Sequence, residues 1–217
     1  MKEKYYTYKL NPVSLNILCI IIFIPLFIIN YKPINFTFIS LILVVFWFIL
    51  HEFIHGLGFM IYANPKNINY GVELEKGIFY CMCKERISKK GIMVALLLPL
   101  FIIGLFTYFI GIIFNLYFLT FLSIINIAGS VGDIVMSLFI LKLPNDISYV
   151  DLGDTTSFTI ISKRDLKQFK MIALKLEKTG DYKKTTSKTN KIITISKISK
   201  VIFAIFLILS IIFLVRC

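Results

Sequence analysis

Charged residues are missing from long stretches of this 217-residue chain, and that absence limits the kinds of protein it can be. Only 17% of the residues are charged and 58% are hydrophobic, more than in ordinary soluble domains. A helix needs about 20 apolar residues to cross a bilayer. Runs of roughly that length recur, with a shorter one near the C-terminus: Val13–Ile29, Phe36–Tyr62, Gly91–Phe114, Leu116–Leu141 and Val201–Val215.

The runs predict an all-α polytopic membrane protein with four to five transmembrane helices. Residues 1–142 are expected to form the membrane-embedded core with four spans. Residues 143–200 are expected to form a small cytoplasmic segment, and residues 201–217 a final membrane helix.

Short elements are expected outside the spans. Tyr70–Glu75 and Ile78–Lys84 flank a Lys-Gly pair and predict a β-hairpin on the cytoplasmic side. Ser157–Ile161 predicts a short strand, and helical spacing of apolar residues over 166–176 predicts an amphipathic helix at the membrane surface. Residues 1–12 are interpreted as a polar tail at the interface.

Acidic residues are scarce, 12 against 24 Lys and Arg, which gives a net charge of +12. If every span crosses, all the basic residues except Lys32 and Arg216 fall on one side of the membrane. This positive-inside pattern places the N-terminus in the cytoplasm of a bacterial plasma membrane. A nucleic-acid partner is not expected, because no aromatic-interleaved basic motif accompanies the charge.

Cysteine is also sparse, with four in the chain, and no spacing suggests a disulfide framework. Cys81 and Cys83 would point both thiols to one face of a strand. A soft metal site there is one interpretation, and two reduced thiols in a hairpin is the favoured one, because no second Cys or His pair completes a site.

Histidine occurs only twice, in the string His51-Glu52-Phe53-Ile54-His55. This is H-E-x-x-H, and residues four apart lie on one face of a helix. Two imidazoles at that spacing can hold one Zn²⁺, and Glu52 between them can act as the general base of a hydrolase. The motif lies in the second apolar run, which argues against a soluble secreted protease.

A catalytic zinc site needs a third protein ligand, and no third histidine exists. Asp133 is the only ionisable residue in a span apart from the motif, and an intramembrane carboxylate is costly without a partner. From the helical rise, His51 and His55 lie about 16 and 10 Å from the cytoplasmic end of their span, and Asp133 about 13 Å. Asp154 and Glu73 are weaker candidates.

Asn126 lies seven residues before Asp133, two helical turns away, with Gly129 and Ser130 between them. It could bind the substrate backbone, steady a ligand, or serve as a polar packing contact. Small residues here, and Gly56 and Gly58 after the motif, are expected to let helices approach closely.

His51-Glu52-Phe53-Ile54-His55-Gly56 in one span, with Gly132-Asp133 in a later one, resembles the site-2 protease class of intramembrane zinc metalloproteases. A closer resemblance is to the bacterial membrane proteins described as putative zincin peptidases, through Tyr80-Cys81, Pro99 and Leu143-Pro144-Asn145-Asp146. The resemblance implies His51 and His55 as zinc ligands, Glu52 as base and Asp133 as third ligand. In typical site-2 proteases the Gly follows the Asp, whereas here it precedes it.

Three functions fit these observations. The leading hypothesis is a zinc-dependent intramembrane peptidase that cleaves a membrane protein near the cytoplasmic face. The alternative is an inert scaffold that binds helical partners, which an intact Glu52 argues against. A transporter with a metal-binding site ranks last, because few polar groups are available to line a path through the membrane.

Overall fold

The computed structural model describes residues 2–32, 37–73, 78–151, 157–166 and 173–180. The predicted helix at 201–217 and the candidate ligand Asp154 lie outside this part of the chain, as does the side chain of Glu73.

Helices account for the apolar runs within the described residues. Their bounds are α1 Pro12–Ile29, α2 Phe38–Met60, α3 Lys89–Pro99, α4 Thr107–Ile113, α5 Tyr117–Gly129 and α6 Val131–Lys142, with a π-helical segment at Leu100–Phe106 joining α3 to α4. Three helices of the described residues are long and apolar enough to cross a membrane: α1, α2 and the continuous stretch Lys89–Ile113. The pair α5 and α6, bent by 44°, qualifies as a fourth span when taken together.

Side-chain caps explain where the long helices begin. Asn11 accepts hydrogen bonds from the first backbone N–H groups of α1, and Pro12 follows it. Thr37 and Ser40 form a reciprocal capping box at the start of α2. The Ser88 hydroxyl accepts from the backbone of Gly91 at the start of α3, at 3.2 Å.

The third apolar run is interrupted by the π-helical segment, which begins directly after Pro99. Proline lacks a backbone N–H and its ring displaces the preceding turn, so the regular ladder cannot continue through it. The Thr107 hydroxyl donates to the Ile103 carbonyl at 2.7 Å, which supplies one partner to the irregular backbone.

The all-α prediction is wrong, because strands form two antiparallel sheets. The strands are β1 Lys4–Leu10, β2 Ile68–Glu73, β3 Ile78–Cys83, β4 Ile87–Ser88, β5 Ser148–Val150, β6 Ser157–Ser162 and β7 Leu174–Gly180. The larger sheet has the order β4-β5-β6-β1-β7, and β2 pairs with β3 alone. The predicted hairpin and the predicted strand at 157–161 are therefore confirmed.

Two sequence interpretations fail at β1 and β7. The segment interpreted as an interfacial tail is a central strand, with Tyr6 and Tyr8 only 0% and 2% exposed. Residues 167–172 of the predicted amphipathic helix lie outside the described residues, and at its C-terminal end the chain is instead strand β7, Leu174–Gly180, paired with β1. Pairing with β1 provides hydrogen-bond partners for every second peptide group of β7. This long-range pairing favours the strand more than the spacing of the apolar residues favours a helix.

The larger sheet packs against the helices that carry the candidate site residues. Tyr8 of β1 meets Phe139 of α6 edge-on, with ring centroids 4.7 Å apart, and stacks on Phe158 of β6 at 5.7 Å. Lys89 at the start of α3 donates to the Leu141 carbonyl at 3.0 Å, a cation at the C-terminus of α6. The sheet and Lys89 therefore fix α6 relative to α3.

Glycine allows α2 and α3 to touch. A Cβ added at Gly58 would lie 2.6 Å from the backbone Cα of Ala95, far inside van der Waals contact. Gly129 and Gly132, expected from sequence to mark a close approach of the fourth run, have no atom within 4 Å of such a Cβ. The close helix contact is therefore at Gly58, and the expectation for Gly129 is wrong.

We expect Gly58→Ala to destabilise the protein by about 1–3 kcal/mol or more, because the obstructing atom is backbone and cannot rotate away. Gly129→Ala, a matched control in a helix with open space, should be neutral or slightly stabilising. Thermal unfolding in detergent measures both. Equal melting temperatures for the two variants would contradict the close contact.

Candidate metal centre

The H-E-x-x-H motif lies in the C-terminal half of α2, little more than one turn before the helix ends at Met60. The helix brings one ligand atom each of His51, Glu52 and His55 within 4.8 Å of one another. The spacing of four residues places both imidazoles on the same face, as expected from helical geometry. The three side chains therefore form a cluster suited to a metal ion.

Asp133 reaches this cluster from the first turn of α6. One carboxylate oxygen lies 3.3 Å from Nε2 of His51, and the other lies 3.5 Å from Nε2 of His55. The side chains of His51, His55 and Asp133 are 13%, 8% and 16% exposed, so the centre is largely enclosed but not sealed. Asp133, far from the motif in sequence, thus completes one group with it.

A break between α5 and α6 positions Asp133. The helix stops at Gly129, and the Ser130 hydroxyl and backbone N–H both donate to the Asn126 carbonyl, at 2.8 and 2.9 Å. The chain then restarts as α6 with Asp133 in its first turn. Asn126 and Asp133 therefore belong to two helices that meet at 44°, rather than to one continuous face.

The outer nitrogen of each imidazole has its own partner. Nδ1 of His51 lies 2.8 Å from Oδ1 of Asn126, and Nδ1 of His55 lies 2.7 Å from the Ala95 carbonyl oxygen. The Asn126 amide nitrogen donates to the Pro99 carbonyl at 3.3 Å, which fixes its oxygen toward His51. Both partners are acceptors, so both Nδ1 atoms carry a proton, and in the neutral form of each imidazole Nε2 presents a lone pair.

The centre therefore collects acceptors that face each other without a donor. The two Nε2 atoms lie 2.9 Å apart, with the Asp133 oxygens beside them. Ligands around one tetrahedral Zn²⁺ are separated by about 3.3 Å, close to the His–Asp distances and slightly more than the His–His distance. Two neutral imidazoles and a carboxylate are a donor set that Zn²⁺ accepts, so His51, His55 and Asp133 fit the metal.

The β2–β3 hairpin covers the remaining side of Glu52. Tyr70 and Cys81, directly paired across the hairpin, both lie beside the Glu52 carboxyl group. The Tyr70 hydroxyl donates to the Phe53 carbonyl at 3.4 Å, and a Cβ on Gly56 would lie 1.7 Å from that hydroxyl oxygen. A side chain at position 56 would therefore displace the Tyr70 ring from this contact with α2.

The two hairpin side chains remain protonated near neutral pH. Burial raises the pKa of the Cys81 thiol and of the Tyr70 hydroxyl, and the negative charge of Glu52 raises both pKa values further. Both groups therefore act as neutral donors beside Glu52, and Cys81 is a poor nucleophile in this setting.

The cysteines form no second metal centre among the described residues. Cys19, Cys81 and Cys83 are free thiols, and the only converging group of three or more His, Cys, Asp or Glu is the one at the motif. This favours the interpretation of Cys81 and Cys83 as reduced thiols.

Several contacts of the candidate metal centre could not be predicted from the sequence. The Ala95 carbonyl is a backbone group that any residue would supply, and the Tyr70 contact depends on how the hairpin folds over α2. The Asn126–Ser130 pair does carry a weak signal, since a serine four residues after a polar residue can bond to the helix backbone and bend it.

A model of a protein family described as "Putative zincin peptidase" matches residues 41–148. The chain belongs to this family. The matched range contains the zincin motif His51–His55 together with Asn126 and Asp133. Searches of curated proteins and of solved structures return no match to the chain.

We expect Asp133→Asn to weaken zinc binding at least about 10-fold, because the substitution removes the only negative charge between the two Nε2 atoms. Asp146→Asn is the control, since Asp146 pairs with Arg164 at 3.4 Å outside the centre. Zinc content after dialysis against a chelator measures both. Equal retention by Asp133→Asn and wild type would move the third ligand elsewhere.

Proposed function

We propose that this zincin family member is a zinc-dependent intramembrane peptidase that hydrolyses a peptide bond of a membrane protein near the cytoplasmic face. The observation that carries the proposal is the convergence of His51, His55 and Asp133 on one point, with Glu52 beside it, on helices of membrane-spanning length. The site-2 protease class, which the motif and the later Gly-Asp pair resemble, performs this kind of reaction.

His51, His55 and Asp133 would hold the metal. Zinc, when bound, supplies a Lewis acid that activates water and polarises a substrate carbonyl. Glu52 takes a proton from the attacking water and later gives it to the leaving amine. Its position, within 4.8 Å of an imidazole nitrogen of each histidine, suits both transfers.

The proposed depth and orientation follow from charge and helical rise. The hairpin and the larger sheet share one hydrophobic core at the end of the bundle where α2 stops and α3 begins. Most basic residues of the described ranges lie in or next to the strands and helix ends at this end of the bundle, which supports a cytoplasmic location. His51 and His55 then lie about 10–16 Å from the cytoplasmic end of the span, a depth that water can reach from the sheet side.

The outer edge of β3 is the proposed substrate site. Lys84 donates to the Asn67 carbonyl across the hairpin, so by alternation the backbone groups of residues 79, 81 and 83 point away from β2. The Cys83 carbonyl on this edge already accepts from Asp151 at 3.2 Å. The Cys81 N–H on this edge donates to the Glu52 carboxyl group, so the edge runs past Glu52. An unwound substrate segment could pair with the remaining edge at Phe79 as an added strand.

We expect Glu52→Gln to retain zinc and to lose cleavage of a transmembrane peptide in liposomes by about 100-fold or more, because the amide cannot accept the proton. Glu85→Gln is the matched control, since Glu85 lies outside the centre and accepts from Asn64 and Asn67. A zinc-loaded wild type without Glu52-dependent cleavage would contradict the peptidase and favour the inert scaffold.

We expect Phe79→Pro to lower kcat/KM for the same peptide about 2- to 10-fold, the cost of one hydrogen bond, because proline removes an outward N–H that the hairpin does not use. Phe79→Leu keeps that N–H and should retain activity. Circular dichroism checks that the hairpin variant is folded. Equal kcat/KM for the proline and leucine variants would rule out strand pairing at this edge.

A further inference from the structure

The Asn126 side chain is more buried and more fully hydrogen-bonded than we expect of a residue that contacts a substrate. Its side chain is only 3% exposed. Its oxygen accepts from His51 at 2.8 Å and its amide nitrogen donates to the Pro99 carbonyl at 3.3 Å. Both ends of the amide are therefore engaged by the protein, which leaves little surface for a substrate.

The surroundings of Asn126 are shaped to hold the amide in this orientation. A Cβ on Gly104, in the π-helical segment, would lie 3.1 Å from the amide nitrogen. The absent side chain at Gly104 therefore makes room for the contact with Pro99. The Asn126 carbonyl also accepts both bonds from Ser130 that bend the chain toward Asp133.

We propose that Asn126 is a positioning residue of the metal centre, which holds His51 with Nε2 toward the metal and so sets zinc affinity rather than substrate binding. This inference rests on the metal binding in the proposed function, but it does not require peptide cleavage. An imidazole that donates its outer N–H is fixed in tautomer and ring orientation, and loss of such a partner costs about 10- to 100-fold in metal affinity.

The two histidines differ in what holds them, and this difference makes the inference testable. His55 donates to the backbone carbonyl of Ala95, which no side-chain substitution removes. His51 depends on the Asn126 side chain. A change at Asn126 should therefore affect His51 and leave His55 in place.

The test compares zinc dissociation constants, measured by chelator competition, for the full-length protein in detergent. Asn126→Leu keeps the approximate side-chain volume but removes the acceptor, and we expect about 10- to 100-fold weaker binding. Asn126→Asp retains an acceptor and should bind within about 3-fold of wild type. Ser123→Ala is the control on α5, since Ser123 is buried and bonded to Leu119 and Thr107 but touches no ligand.

A second measurement does not depend on affinity. The chain has two histidines, so ¹⁵N labelling of histidine gives two imidazole signals. In the zinc-loaded wild type, both rings should bind metal through Nε2 and carry the proton on Nδ1. In Asn126→Leu, the His51 Nδ1 proton should exchange faster with water, and the His55 signal should be unchanged.

Unchanged zinc affinity of a folded Asn126→Leu would overturn the inference, as would binding of His51 through Nδ1 in the wild type. If Asn126→Leu does not fold, the ¹⁵N spectrum of the wild type and the affinity of Asn126→Asp decide. A wild type that binds zinc but cleaves nothing would contradict the peptidase alone. A wild type without zinc would contradict the metal centre, and this inference with it.

Discussion

Two imidazole Nε2 atoms and a carboxylate face each other across 2.9–3.5 Å. Such a group needs a shared cation, either a proton or a metal ion, because acceptors this close repel one another without a positive partner. The fold has to hold these acceptors together before any metal arrives. It does so with groups on four helical elements: the histidines on α2, Ala95 on α3, Asn126 on α5 and Asp133 on α6.

Two backbone features let these helices meet. Gly58 allows α3 to approach α2 closely enough for the Ala95 carbonyl to reach His55. The break at Ser130 turns α6 by 44° and directs Asp133 toward the same point. The larger sheet then packs against α6 through Tyr8 and Phe139, so a structure outside the apolar runs stabilises a site within them.

The sequence predicts which residues converge at the candidate metal centre, but not the contacts that hold them there. His51, Glu52 and His55 follow from spacing alone, and Asp133 follows from being the one other acidic group in an apolar run. The sheet was missed because β1 pairs with β6 and β7, which lie about 150–175 residues later in the chain, and pairing of that kind leaves no local pattern. The Ala95 carbonyl was missed because a backbone oxygen has no residue type to recognise.

X-ray absorption at the zinc edge of the purified protein tests the account most directly, since it reports the atoms bound to the metal. Imidazole nitrogen and carboxylate oxygen lie about 2.0–2.2 Å from zinc, and thiolate sulfur about 2.3 Å. The account predicts one zinc per chain, two imidazoles and at least one oxygen in its first shell, with no sulfur. Zinc bound by sulfur, or no stoichiometric zinc at all, would contradict it.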